Sequence, residues 1–348
     1  MTTMDISGLE QSRLSRRLFT AGLAALTVAP RAFAQSAAIK LRKLHCFEIR
    51  VSDVDRSVRF YQGLFGMPVQ ARGADRICLR IGEGPQFMAI RPVRDGEMPA
   101  ITYLGYSIDG YDPDRALAAL RGASFAEIDP PPITSSGIEH PMSAWIRRRG
   151  DTRELFFSDA RGLIVQLADP AYCGGTGAAG DQCAAPEAAP DGLIALNDLN
   201  HFTVFVNDGA AANRFYQETF GLSVQAYQGP RAPVTGIGDG HQFVMYAGPP
   251  RDEPTPASIN HACFNMRDFD VDRVLGTLTD YGLSARGDRR TGPLMHYVSL
   301  RMPNRGGAEG GTPELYFTDP DGLLMQLQDI SYCGGGGYLG NECPGPQP

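Results

Sequence analysis

The chain has 348 residues and a net charge of -7, with 43% hydrophobic and 20% charged residues and seven cysteines. Its length exceeds one ordinary domain and predicts two, since domains run to roughly 100–200 residues. An acidic chain with scattered cations lacks the grouped Lys and Arg that phosphate neutralisation needs, which excludes nucleic acid as a partner; the one cluster, Arg147-Arg148-Arg149, reads as a solvated strand edge or turn.

Residues 1–34 read as an address. Ser15-Arg16-Arg17-Leu18-Phe19 precedes an apolar run over 21–29, and Ala32-Phe33-Ala34 supplies a small-x-small cleavage site. That run falls short of the roughly twenty apolar residues a membrane span requires, and no other segment reaches that length. A removable twin-arginine signal is therefore expected, with a mature chain starting near Gln35 in the periplasm or outside the cell. The twin-arginine route carries folded proteins, often already loaded with a cofactor, which favours a bound metal.

A first domain is predicted over 40–183. Its opening strand leads into a helix begun by Ser52 and closed by Gly66; a second strand from Ile101 leads into a helix opened by Asp112-Pro113-Asp114-Arg115 and ending near Gly122. Short strands and turns follow each helix. Residues 184–196, small and Pro-rich, read as a linker. The domain predicted over 197–348 repeats the first. Arg59-Phe60-Tyr61-Gln62 returns as Arg214-Phe215-Tyr216-Gln217, and Glu154-Leu155-Phe156-Phe157-Ser158-Asp159 as Glu314-Leu315-Tyr316-Phe317-Thr318-Asp319. Its helices are expected to open at Asn207 and at Asp270-Val271-Asp272-Arg273 and to close at Gly221 and near Gly282. The Asp319-Pro320-Asp321-Gly322 sequence marks a hairpin turn. The fold class is thus α+β, with four βαβββ modules paired into two open β-barrel domains. Cys173 with Cys183, and Cys333 with Cys343, read as two local disulfides, since no neighbouring pair completes a four-cysteine metal loop. Cys46, Cys78 and Cys263 read as buried thiols.

Comparing the halves separates scaffold from candidate site. His201 corresponds to Cys46 and His261 to Tyr103, so histidines stand at equivalent module positions in the second half alone. His45 precedes Cys46 and is expected on the opposite strand face. Two imidazoles from related strands suit Fe, Mn, Ni or Zn.

The four-module plan, His201 and His261 and the last hairpin resemble the two-domain extradiol ring-cleaving dioxygenases of the vicinal-oxygen-chelate superfamily, over about residues 40–330. The resemblance implies a degenerate N-terminal domain and a C-terminal domain holding Fe(II) or Mn(II), with nickel or zinc as alternatives. Tyr316 falls on the family's active-site tyrosine, where the first half has Phe156. The chain departs from the family at the carboxylate ligand, where it has Gln326. Either Gln326 or Glu314 is expected as third ligand, with Glu314 also a candidate base, although Gln166 and Glu154 occupy the matching first-half places. His296 is the nearest candidate acid-base histidine, with His140 as a counterpart that argues for scaffold; His241 is a candidate for the pocket mouth. The implied activity is metal-dependent, extradiol-type cleavage of a small catechol-like substrate. A glyoxalase-like isomerase or lyase and a non-catalytic small-molecule binder are the alternatives, and homo-oligomerisation is left open.

Overall fold

A computed structural model describes residues 39–228, 232–250, 255–301 and 309–343. The expected signal and its cleavage site lie outside the described residues. In the first half the elements run β1 (Leu41–Val51), α1 (Val54–Phe65), β2 (Val69–Arg72), β3 (Ile77–Arg80), β4 (Phe87–Pro92), β5 (Ala100–Ile108), α2 (Pro113–Gly122), β6 (Ala126–Glu127), β7 (Ser143–Arg149), β8 (Thr152–Ser158) and β9 (Ile164–Ala168). The second half repeats them as β10 (Leu196–Phe205), α3 (Gly209–Phe220), β11 (Val224–Tyr227), β12 (Pro233–Gly236), β13 (Phe243–Ala247), β14 (Ser258–Met266), α4 (Val271–Asp280), β15 (Ser284–Ala285), β16 (Met295–Arg301), β17 (Thr312–Thr318) and β18 (Leu324–Asp329).

Each half forms one nine-stranded sheet, in the orders β2-β3-β4-β1-β5-β9-β8-β7-β6 and β11-β12-β13-β10-β14-β18-β17-β16-β15. The antiparallel pairs β1–β5 and β10–β14 join the two modules of each half. Strand pairing leaves β2 and β6, and β11 and β15, as edges, and the second module of each half carries an extra strand of two residues beyond the expected βαβββ count.

The first helix of each half starts one residue later than its sequence suggests. Asp53 and Asp208 are the caps, accepting from the amides of Arg56 and Ala211. Ser52 instead donates its hydroxyl to Asp321 at 2.5 Å, and Asn207 donates to the Thr255 carbonyl at 2.7 Å. Gly66 and Gly221 end these helices at φ 65° and 67°, where an L side chain would be strained.

Each of these helices packs on its own half's sheet, α1 against β4 and α3 against β13, and reaches the other half through aromatic side chains. Phe65 of α1 meets Phe317 at 5.6 Å between ring centroids, and Phe220 of α3 meets Phe157 at 5.4 Å. The same exchange pairs Tyr61 with Asp319 (3.2 Å) and Tyr216 with Asp159 (3.0 Å), both buried. A single apolar core, with Phe47, Phe157, Phe202, Phe264 and Phe317 fully buried, therefore spans both halves. Cys173–Cys183 and Cys333–Cys343 are disulfides, as their spacing predicts, and the other three cysteines are buried. The arginine triplet lies where β7 has β8 on one side only, since β6 pairs at Ser143 and Ala144 alone, but it is solvated only at Arg148: Arg147 and Arg149 are half-buried, Arg147 5.1 Å over the Phe156 ring and Arg149 bonded to Glu154 at 2.9 Å.

Candidate functional site

Strand register lays corresponding residues in one row across each sheet. In the second half the row reads Phe243, His201, Cys263, Gln326, Tyr316, Tyr297. In the first it reads Phe87, Cys46, Gly105, Gln166, Phe156, Trp145. The first-half row is packed shut: Trp145 stacks on Phe156 at 5.9 Å, and Tyr103 meets Phe156 edge-on at 5.1 Å. The second-half row replaces that filling with imidazole, amide and phenol. His261 joins it from β14, two residues before Cys263 and so on the same face.

His201 and His261 come together, with their Nε2 atoms 3.4 Å apart, and the Gln326 Oε1 lies 3.1 Å from the His201 Nε2. The register slips by one residue at Asn200 and again at Asn260. Each bulge turns an asparagine beside the histidine that follows it, which strict alternation would forbid. The Asn200 Oδ1 lies 2.7 Å from the His201 Nδ1, and the Asn260 Oδ1 2.8 Å from the His261 Nδ1. Asn200 also donates its Nδ2 to the Tyr332 carbonyl at 2.8 Å, which fixes the orientation of its amide. The Oδ1 of Asn200 must then accept, so the His201 Nδ1 carries the proton and the Nε2 presents a lone pair. The matching contact at Asn260 gives His261 the same tautomer.

Two imidazole lone pairs therefore converge with no imidazole N–H between them, and the Gln326 amide adjoins them. Protonation does not relieve this at neutral pH. Burial drives His201 well below the usual histidine range, reinforced by the neighbouring His261, and burial takes His261 down to about 4 against a weaker upward pull from Gln326. The Nε2 of Gln326 is also buried without a partner. A neutral N, N, O donor set whose outer nitrogens are held by amide oxygens fits a divalent transition metal, because ligating imidazoles characteristically donate their other N–H to an oxygen. Among the described residues no group of three His, Cys, Asp or Glu side chains could hold a metal, which leaves the Gln326 amide as the third donor within reach. Cys263 stands between His201 and Gln326 in the row, but its thiol faces the Phe264 carbonyl at 3.4 Å.

Glu314 is engaged elsewhere. Its Oε1 accepts from the Arg301 Nε (2.6 Å) and the Tyr332 hydroxyl (2.6 Å), and its Oε2 from Tyr316 (2.9 Å). Glu154 has the same arrangement with Arg149 (2.9 Å) and Tyr172 (2.7 Å), so this network belongs to the scaffold of both halves. Tyr316 meets His261 edge-on at 5.2 Å, and burial together with the Glu314 charge pushes its phenol well above the usual range. His296 does not join the site. It is adjacent to Tyr297 on β16 and points to the opposite face, where its Nε2 lies 3.0 Å from the Thr279 hydroxyl of α4, so the scaffold reading suggested by His140 is the one the geometry supports. His241 is exposed and borders a separate cleft with Arg42 and Asp239. His45 sits at a bulge, where its Nε2 meets the Tyr172 carbonyl at 2.5 Å in the place Asn200 takes in the second half.

Several residues of the site escaped sequence reasoning: Asn200, Asn260, Tyr297, Tyr332 and Arg286. The asparagines had a signal, since one precedes each second-half histidine. Tyr297 stacks on Tyr316 at 5.0 Å, and the Arg286 guanidinium lies 3.6 Å from the Tyr297 ring centroid.

Residues 43–115 and 198–327 match the Glyoxalase/Bleomycin resistance protein/Dioxygenase superfamily, and the chain belongs to that superfamily. It is 27% identical over 135 residues to a virulence protein of Salmonella typhimurium, covering 38% of this chain and 83% of that protein. It is 30% identical over 135 residues to biphenyl-2,3-diol 1,2-dioxygenase 3 of Rhodococcus globerulus, covering 37% of this chain and 62%, less than two thirds, of that protein. Among solved structures it is similar to a catechol 2,3-dioxygenase, with TM-score 0.54 and 18% identity, covering 83% of this chain and 87% of that one. It is also similar to the homoprotocatechuate 2,3-dioxygenase of Brevibacterium fuscum in complex with 3,4-dihydroxyphenylacetate, with TM-score 0.53 and 17% identity, covering 85% and 83%. At such identities the likeness to the solved structures is one of fold. No helix among the described residues is long and apolar enough to cross a membrane.

Proposed function

We propose that this protein is an exported, metal-dependent enzyme that opens catechol-like rings by extradiol-type chemistry, with His201, His261 and Gln326 holding the metal. The convergence of the two imidazole Nε2 atoms and the Gln326 amide at 3.1–3.4 Å is the observation that carries this reading. A bound Fe(II) or Mn(II) ion would supply a Lewis acid for two vicinal substrate oxygens and a redox partner for oxygen. Asn200 and Asn260 hold the imidazoles in their metal-binding tautomers. Phe243, stacked on His201 at 4.3 Å, keeps water from one face of the site. Tyr316 is placed to turn its O–H from Glu314 to a substrate oxygen and return it, while Glu314, fixed by Arg301, keeps the phenol oriented.

The neutral third donor favours one second reading. Without a carboxylate the site keeps more of the ion's positive charge, which suits nickel or zinc polarising a carbonyl in an isomerase or lyase. The export reading rests on residues 1–34, and the two disulfides fit an oxidising compartment.

Oxygen uptake with catechol separates these readings. Iron- or manganese-loaded protein should consume oxygen and form a ring-opened product, and Tyr316→Phe should lower kcat by about 100-fold with a smaller change in KM, as expected for loss of a positioned proton donor. Metal-loaded protein that binds catechol without consuming oxygen would remove the dioxygenase reading.

A further inference from the structure

The connection from Ala126 to Ser143 in the first half is six residues longer than its counterpart from Ser284 to Met295. Its later part is bound into the first half: the Ser136 carbonyl accepts from the Ile164 amide (2.8 Å), Ile138 donates to the Gly162 carbonyl (2.9 Å), and Gly137 bridges to Leu163 between them. That part also meets the second half. A Cβ on Gly137 would stand 2.4 Å from the Ala257 carbonyl oxygen, so the close approach of two backbones is what requires glycine there. Ser136 is buried, donates its hydroxyl to the Ile101 carbonyl (2.8 Å) and accepts from the Ile259 amide (2.9 Å). Ile101 and Ile259 are equivalent residues, standing two before Tyr103 and His261, which the repeat aligns. One hydroxyl therefore joins β5 to β14 at matching points. The relation is one-sided: Arg290 and Thr291 border the same seam from the second half, and among the described residues neither gives a side-chain hydrogen bond to Ile101.

The point that Ser136 holds lies two residues before His261. The register with β10 slips between the pairs Val204–Ile259 and Thr203–His261, which puts Asn260 outside the ladder. β18 takes up pairing with β14 only from Ala262, so the buried Ile259 amide has no strand partner on that side and is satisfied by Ser136 instead. The two asparagines beside the histidines differ in this respect. Asn200 is pinned within its own half by the Tyr332 carbonyl, whereas the Asn260 side chain has no second hydrogen bond among the described residues. What orients Asn260 toward the His261 Nδ1 is therefore its backbone, and the backbone is fixed at Ile259 from the other half.

We infer that Ser136 is a positioning residue for the site in the second half: through the Ile259 amide it holds the bulge at Asn260, and with it the imidazole of His261. The half that supplies no donor atom thus sets one of the two histidines, while His201 is set from within its own half. Only the effect on metal affinity rests on the metal reading; the effect on the Asn260–His261 contact does not. The long connection 126–143 is on this account the part of the first half that serves the second.

The test compares Ser136→Ala with Ser143→Ala in the full chain. Ser143 is also buried, but its hydroxyl bonds within the first half, to the His140 carbonyl (2.8 Å) and to Ser158 (2.9 Å). In metal-free protein carrying isotope-labelled histidine, the Nδ1–H resonance of His261 should lose its protection from solvent exchange in Ser136→Ala, while that of His201 keeps it. In the same variant Co(II) should bind about 3- to 10-fold more weakly, the worth of one hydrogen bond, with a shift in the visible absorption of the bound ion. Gly137→Ala, which forces the two backbones apart, should act in the same direction. Ser143→Ala should lose a similar amount of thermal stability and change neither readout. An unchanged His261 resonance in Ser136→Ala, or the same change in Ser143→Ala, overturns the proposal. If the unaltered protein takes up no Co(II), the metal reading falls and the His261 resonance still decides whether Ser136 positions that side chain.

Discussion

Each histidine of the pair depends on an asparagine one residue before it, and that dependence is testable one side chain at a time. Asn200→Ala or Asn260→Ala removes the oxygen that fixes an imidazole tautomer and should weaken metal affinity about 10- to 100-fold, read by competitive chelator titration. Gln326→Glu restores a charge opposite the ion and should tighten metal binding by about tenfold or more; unchanged or weaker binding would place the third donor elsewhere. Glu314→Ala removes the buried ion pair with Arg301 and should destabilise the protein by about 3–5 kcal/mol in chemical denaturation, as Glu154→Ala should through Arg76 and Arg149. His201 and His261 were legible because the two halves could be laid side by side, and Gln326 through the family resemblance alone, since Gln166 stands at its first-half place. The same comparison already paired Glu314 with Glu154 and His296 with His140, and the shared Glu-Arg-Tyr network and the Thr279 contact show why both serve the scaffold.

At the scale of elements, the loop closed by Cys333–Cys343 supports the site through the residue before it. Tyr332 gives its carbonyl to Asn200 and its hydroxyl to Glu314, and Arg301 reaches the Gly335 carbonyl at 2.9 Å. The first half has the same loop without the histidines, which provides an internal control. Cys333→Ser/Cys343→Ser should therefore lower metal affinity by about tenfold or more through His201, whereas Cys173→Ser/Cys183→Ser should leave it within about twofold. Equal losses in the two variants would show that the loops act on overall stability alone. Strands, helices and disulfides could be read from periodicity, caps and spacing, and two of the four caps were placed one residue early because Ser52 and Asn207 can also cap. The bulges at Asn200 and Asn260 were not legible, because a register slip is decided by the partner strand.

Over the whole molecule the duplication does two things. It stitches the halves together through helix side chains that reach each other's sheets, and it confines the donor atoms to one half. In the shared core, burial raises Asp159 and Asp319 to about 6, against partial relief from backbone amides and from Tyr216 and Tyr61. A carboxyl raised in the folded state favours folding below its unfolded value and loses that contribution as pH rises through about 6. The thermal stability of Asp159→Asn/Asp319→Asn, measured relative to the unaltered protein, should therefore rise between pH 4 and pH 7; a flat difference would show that neither group titrates there. This exchange of side-chain contacts could not be read from the repeat, which predicts two similar domains but not what each buries. The confinement of the donors to one half has a numerical consequence. Titrating metal-free protein with Fe(II) or Mn(II) by anaerobic calorimetry should show one tight site per chain, abolished in His201→Ala/His261→Ala. Two equivalent sites, none, or binding that survives the double substitution would contradict a metal centre built on these histidines.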